Sequence, residues 1–151
     1  MNFQEKYNEY KQRQEAKKFF NQNNDYHLST IDYIKMIVAG ILVAMFSTII
    51  FELISLQIGW NFSIFNILTG YFTGFIILKI ARYGNKNVGI ISVVCYVLGT
   101  FFAPAVMYYA FWHQVLSLSM CIQIAMSQYG SLISLLFIVV GAITAYEMSK
   151  N

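Results

Sequence analysis

Charge is what this sequence has least of: 11% of its 151 residues are Asp, Glu, Lys or Arg, where a soluble domain carries about 25%. That shortage excludes an ordinary water-soluble domain, a disordered chain and a nucleic-acid-binding protein. Proline occurs once and glycine nine times, which excludes collagen-like and Pro-rich architectures. The two cysteines, Cys95 and Cys121, cannot build a disulfide scaffold and have no redox or metal-binding spacing. His27 and His113 have no His, Cys or carboxylate partner at ligand spacing, so no metal centre is expected. No Ser-His-Asp order, phosphate-cradling Gly loop or pair of intramembrane carboxylates occurs. The chain is therefore expected to be no enzyme and to need no cofactor. A net charge of +3 is too small to point to a polyanionic partner.

Apolar residues are abundant: 58% of the chain is hydrophobic and the mean hydropathy is +0.54. They gather in four runs, at about 34–56, 62–81, 88–112 and 131–148. A bilayer core of about 30 Å is crossed by about 20 helical residues. None of the runs alternates with period two, and in lipid a helix satisfies its backbone polar groups within its own segment. The expectation is an all-α, polytopic membrane protein, with four transmembrane helices in 31–151 packed as a four-helix bundle. Pro104 falls late in the third run and removes the helical donor for the Thr100 carbonyl, so a bend is expected there, eased by Gly99.

Residues 1–30 differ from the rest: they form a polar arm mixing Lys6, Lys11, Arg13, Lys17 and Lys18 with Glu5, Glu9 and Glu15. The Glu9–Arg13 spacing favours a short helix, with Phe3, Tyr7 and Tyr10 on one face. No apolar signal-peptide core or cleavage site is present, so the arm is expected to stay on the mature protein as a solvated cytosolic helix. Asn21 to Asn24 read as a break, and Ser29 or Thr30 as an N-cap supported by Asp32.

Gln57 to Asn61 form an uncharged turn, and Arg82 to Asn87 a basic one. The stretch 113–130 is uncharged and rich in Ser, Gln and Met. It reads equally as an interfacial helix, an extension of the third span or a loop dipping into the membrane. Basic residues concentrate in the arm, at Lys35, at Lys79, Arg82 and Lys86, and at Lys150, all on one side of an even number of spans. By the positive-inside rule that side is the cytoplasm, which places both termini inside the cell membrane.

Small residues recur at helical spacing in every span: Gly40 and Ala44, Gly70 and Gly74, Gly99 on one face with Ser92, Tyr96 and Ala103, then Gly141 and Ala145. Such stripes let membrane helices approach closely. In the second span Ile76 and Ile77 are expected on the opposite, lipid-facing side. Glu52 is the acidic residue well inside an apolar run, and counting by four puts it on the face of Ala44 and Thr48. Asn66, Tyr108, Tyr109 and His113 fall at a similar depth. The group forms a candidate intramembrane polar cluster, in which Glu52 serves as a hydrated interface residue, a hydrogen-bonded clasp or a proton site.

The Gln57-Ile58-Gly59-Trp60 turn, the Gly-bearing second span ending in a basic turn, Val88-Gly89-Ile90-Ile91, and Leu135-Leu136-Phe137 before Thr144-Ala145-Tyr146 carry a resemblance. Over about Ile37 to Lys150 the chain resembles a group of small bacterial four-span membrane proteins of unknown function, some with an N-terminal zinc ribbon. It departs from them at Phe65-Asn66-Ile67, where they have more glycine, and in lacking zinc-ribbon cysteines. The resemblance implies four helices and a membrane location and carries no activity. The functional expectation is a non-catalytic assembly or accessory component of a membrane complex. Its partners would be the bilayer, another protein or further copies of itself, and not nucleic acid. The alternative is a subunit of a small oligomeric transporter or channel using Glu52.

Overall fold

The computed structural model describes residues 3–23, 28–59, 63–112 and 117–150, and among these residues all regular structure is helical. The elements are α1 (Phe3–Asn23), α2 (Thr30–Ile58), α3 (Phe65–Ala81), α4 (Lys86–Trp112), α5 (Leu118–Tyr129) and α6 (Leu132–Lys150). Three of these are long and apolar enough to cross a bilayer: α2, α4 and α6, with mean hydropathies of 2.5, 2.1 and 1.9. The second apolar run forms a shorter helix of 17 residues, α3, about 25 Å long at 1.5 Å per residue.

Local chemistry sets the helix ends. Ser29 caps α2, accepting from the Asp32 backbone N–H, while the Asp32 carboxylate reaches back to the Ser29 N–H at 3.3 Å, which completes a capping box. Gly59 ends α2 with φ 73°, a left-handed conformation that glycine adopts without strain. Arg82 ends α3 in the same region at φ 63°, its N–H bonded to the Leu78 carbonyl. Several boundaries move relative to the sequence reading. The turn after α2 begins only at Gly59, because Gln57 and Ile58 are still helical, and Trp60 to Phe62 lie outside the described residues. The basic turn shortens to 82–85, since Lys86 and Asn87 already belong to α4. Asn21 to Asn23 continue α1 rather than break it, and residues 24–27 lie outside the described set. The stretch after α4 resolves in favour of a separate helix, α5, capped by Ser117.

Helix α3 packs against α2, α4 and α6, and α4 packs against α2, α3 and α6, with α5 resting on the ends of α4 and α6. Among the described residues α2 and α6 do not touch, so they stand at opposite corners with α3 and α4 between them. Within lipid no water is expelled when helices meet, so close van der Waals contact must hold them. Small residues supply it. Gly70 lies on the Gly141 backbone, Gly74 on the Ala145 backbone, Gly99 on Ala44, and Gly40 on Ile77 and Cys95. A Cβ at Gly74 would come within 2.6 Å of the Ala145 carbonyl oxygen. Two further bonds cross between helices: the Ser92 hydroxyl donates to the Ala145 carbonyl at 3.0 Å, and the Cys95 thiol to the Ile37 carbonyl at 3.7 Å.

One expectation about these faces is overturned. Ile77 is fully buried in a cluster with Met36, Ala81, Val88 and Cys95. It continues the Gly70–Gly74 stripe by three residues and so shares that inward face. The outward face of α3 belongs instead to Leu68, Tyr71, Phe72 and Phe75.

Helix α1 stands apart. Among the described residues it packs on no other helix. Tyr7 and Tyr10 are 64% and 63% exposed, so they form no buried stripe. The Glu9–Arg13 pair closes only to 4.0 Å with both side chains in solvent, where such pairs contribute little.

Candidate functional site

The helices pack unequally along their length. At the end carrying Lys35, Lys79, Arg82 and Lys86 they seal around the Met36–Ile77–Val88–Cys95 cluster. At the opposite end they splay around a half-open chamber of about 810 Å³ walled by residues from α2 to α6.

The last turns of α2 supply Thr48, Phe51, Glu52 and Ser55; the start of α3 supplies Phe65, Asn66 and Thr69, with Ser63 just before it. Helix α4 contributes Thr100, Pro104 and Tyr108, α5 contributes Ile124 and Ser127, and Ser134 and Ile138 come from α6, with Ser131 immediately ahead of it. The Phe51 and Phe65 rings stack at 4.7 Å and 7°, pinning the end of α2 to the start of α3. Across the mouth the Ser63 and Ser134 hydroxyls approach to 3.4 Å.

The threonines of the wall are tied to their own helices. Thr48 donates its hydroxyl proton to the Ala44 carbonyl at 2.8 Å, Thr69 to Phe65 at 3.1 Å, and Thr100 to Tyr96 at 2.9 Å. Their protons are spent on their own helices, and Thr69 and Thr100 are themselves buried. Pro104, in the same wall, has no N–H to give the Thr100 carbonyl. Helix α4 continues through Pro104 to Trp112 regardless. Glu52, half-buried, is the one Asp, Glu, Lys, Arg or His side chain among the described residues of the wall.

Beneath the chamber the helices close again. Gly99 meets Ala44, and the Tyr96 hydroxyl lies against Gly141. Tyr96 and Ala103 are fully buried.

Of the polar cluster expected from sequence, Glu52, Asn66 and Tyr108 line this one chamber. Tyr109 does not: it is 58% exposed, because consecutive helical residues point about 100° apart and Tyr108 takes the inward position. His113 lies outside the described residues. The packing residues Gly40, Ala44, Gly70, Gly74, Gly99, Gly141 and Ala145 are all buried. The sequence reading missed Ser63, Thr69, Thr100, Ser127, Ser131 and Ser134. Their signal was the clustering of hydroxyl residues at one end of several spans, which shows only once the helices are placed side by side. Among the described residues no three His, Cys, Asp or Glu side chains gather to hold a metal ion.

No family model matches the chain, and no curated protein or solved structure matches it.

Proposed function

We propose that this chain is a four-span, non-catalytic protein of the cell membrane that binds a small polar solute in the chamber, as a subunit of an oligomeric transporter or channel. The observation that carries this reading is the chamber itself. Its volume of about 810 Å³ falls in the range of small-molecule sites, about 300–1,000 Å³. Polar groups converge on it from five helices, and a polar wall at membrane depth is expensive unless it serves water or a solute. The closed packing beneath suits a site reached from one side rather than an open pore.

Helix α3, with 17 residues, is shorter than the usual span of about 20, but spans of about 17 residues occur. Its position between α2, α4 and α6 supports its crossing with them. The basic residues at the sealed end favour a cytoplasmic location for that end and for both termini, and so an outward-facing chamber. Four helices are few for a transport path, which is why the reading includes further copies. The resemblance to small bacterial four-span proteins agrees with this architecture and adds no activity.

A second reading, a non-catalytic accessory component of a membrane complex, is favoured by α1. Among the described residues this charged helix of 21 residues packs on none of the others, which leaves its surface to a partner.

Single cysteines in a Cys95→Ala/Cys121→Ser background test the arrangement. Gln57→Cys, Gln123→Cys and the chamber residue Ser134→Cys should label from outside intact cells with a small membrane-impermeant thiol reagent. Asn85→Cys and Glu147→Cys should label only after permeabilisation. Labelling of Asn85→Cys from outside reverses the orientation. A Ser134→Cys that stays unreactive in permeabilised cells removes the water-filled chamber.

A further inference from the structure

We propose that the sealed end of the bundle binds an anionic phospholipid, its headgroup phosphate on a basic patch centred on Arg82 and its acyl chains along the outward face of α3. The inference rests on the helices crossing the bilayer and is independent of what the chamber holds.

Convergence of charge is the first ground. Met36 of α2, Ala81 of α3 and Val88 of α4 share one buried cluster, so the start of α2, the end of α3 and the start of α4 meet. Lys35 adjoins Met36, Arg82 adjoins Ala81, and Lys86 stands two residues before Val88. The Asp32 carboxylate is within electrostatic reach of both Lys35 and Arg82, which brings those two cations to one place. Lys35, Lys79, Arg82 and Lys86 are all exposed, and among the described residues none of them forms an ion pair. The acidic groups nearby are committed elsewhere. Asp32 accepts from the Ser29 N–H and hydroxyl, and Glu147 pairs with Lys150 at 3.7 Å. The positive-inside rule asks for basic residues on this side of the membrane. It does not ask that they gather at one junction without carboxylates to neutralise them.

The setting of the patch decides between a lipid and a soluble anion. Helix α3 has 17 residues, about 25 Å, against about 30 Å for the hydrocarbon core. A short span draws headgroups down to its ends, and its flanking cations extend to meet them. Lys79 in the last turn of α3 and Arg82 at its cap therefore reach the level of the phosphates. Along the outward face of the same helix the exposed side chains are apolar or aromatic: Leu68, Tyr71, Phe72 and Phe75. The Tyr71 and Phe75 rings lie parallel at 6.3 Å, and Lys79 Nζ stands 5.7 Å from the Phe75 ring centre. A cation at the end of an apolar strip matches a molecule with an anionic head and hydrocarbon tails. A soluble phosphate would use the charge and leave the strip.

The test uses the full chain in detergent micelles holding equimolar phosphatidylglycerol and phosphatidylcholine with the same acyl chains, and native mass spectrometry counts the lipid that stays bound. Phosphatidylglycerol should exceed phosphatidylcholine by about tenfold, the order expected of a few partly screened charges. Lys35→Gln/Arg82→Gly/Lys86→Gln should bring the ratio close to one; glycine suits position 82 because its φ is 63°. Lys6→Gln/Lys11→Gln/Arg13→Gln removes the same charge from α1 and should leave the ratio unchanged. Should the first variant fail to fold, the unsubstituted chain decides: excess glycerol 3-phosphate at constant ionic strength should leave the phosphatidylglycerol excess intact. A ratio near one in the unsubstituted chain, a ratio that survives the first variant, or equal loss in both variants overturns the lipid site. Displacement of the lipid by glycerol 3-phosphate makes the patch a soluble-phosphate site and overturns it as well. None of these outcomes touches the chamber, which the thiol labelling tests separately.

Discussion

Gly70→Leu should leave almost no chain recoverable as folded, monodisperse protein in mild detergent, while Phe72→Leu on the same helix should leave the yield unchanged. Gly70 has the Gly141 backbone directly over it, so that even a Cβ would meet the carbonyl oxygen. Backbone cannot move aside as a flexible side chain can. Helices α3 and α6 would have to separate, and that separation would also lift Gly74 from Ala145 one turn away. Overpacking in a well-filled core costs about 1–3 kcal/mol even where side chains can give way. Here the contact along the whole stripe is lost, and in lipid no hydrophobic term remains to hold the pair together. Phe72 is 43% exposed on the outward face, where one large apolar side chain substitutes for another. Size-exclusion profiles of the two variants beside the unsubstituted chain make the comparison. Equal recovery of both would mean that the Gly70–Gly141 contact contributes nothing to assembly.

The stripes behind that prediction were readable because they are local: Gly70 and Gly74, or Gly141 and Ala145, lie four residues apart on one helix, and small residues in a span have few uses besides close approach. Ile77 was misplaced by treating the outward face as whatever is not glycine. Continuing the period by three residues from Gly74 would have turned it inward. The polar chamber was half legible. Glu52 stood out because a carboxylate in an apolar run is costly, and Asn66 and Tyr108 followed by depth. Tyr109 was carried along by adjacency in sequence, which on a helix means a different direction. The serines of the mouth were missed for a different reason. A serine in a span can bond its own backbone at little cost, so Ser63, Ser131 and Ser134 give no warning one at a time. They become a wall only through the pairing of the α3 and α6 starts, a tertiary fact. Helix α5 was undecided because its polar residues are spread around its circumference, and its place on α4 and α6 is set by packing.

Tyr96→Ala should destabilise the protein by about 3–5 kcal/mol, the usual cost of deleting a buried aromatic ring, whereas Tyr96→Phe, which keeps the ring, should cost far less. Tyr96 is among the largest fully buried side chains. It occupies the level just beneath the chamber, where Thr100, one turn later, bonds its carbonyl and lines the wall. Its hydroxyl reaches the Gly141 surface, so the ring fills the space between α4 and the glycine stripe of α6. Alanine would leave that space empty, and Gly141, which the hydroxyl end of the ring touches, has no side chain to fill it. Phenylalanine keeps the ring and gives up only the hydroxyl. Tyr108→Ala is the matching control, since Tyr108 is 37% exposed on the chamber wall whereas Tyr96 is fully buried. Equilibrium unfolding in mixed micelles with rising sodium dodecyl sulfate gives the three values. The expected order of loss is Tyr96→Ala well above Tyr108→Ala and Tyr96→Phe. Equal losses for Tyr96→Ala and Tyr96→Phe would mean that the hydroxyl, and not the volume of the ring, holds the floor of the chamber in place.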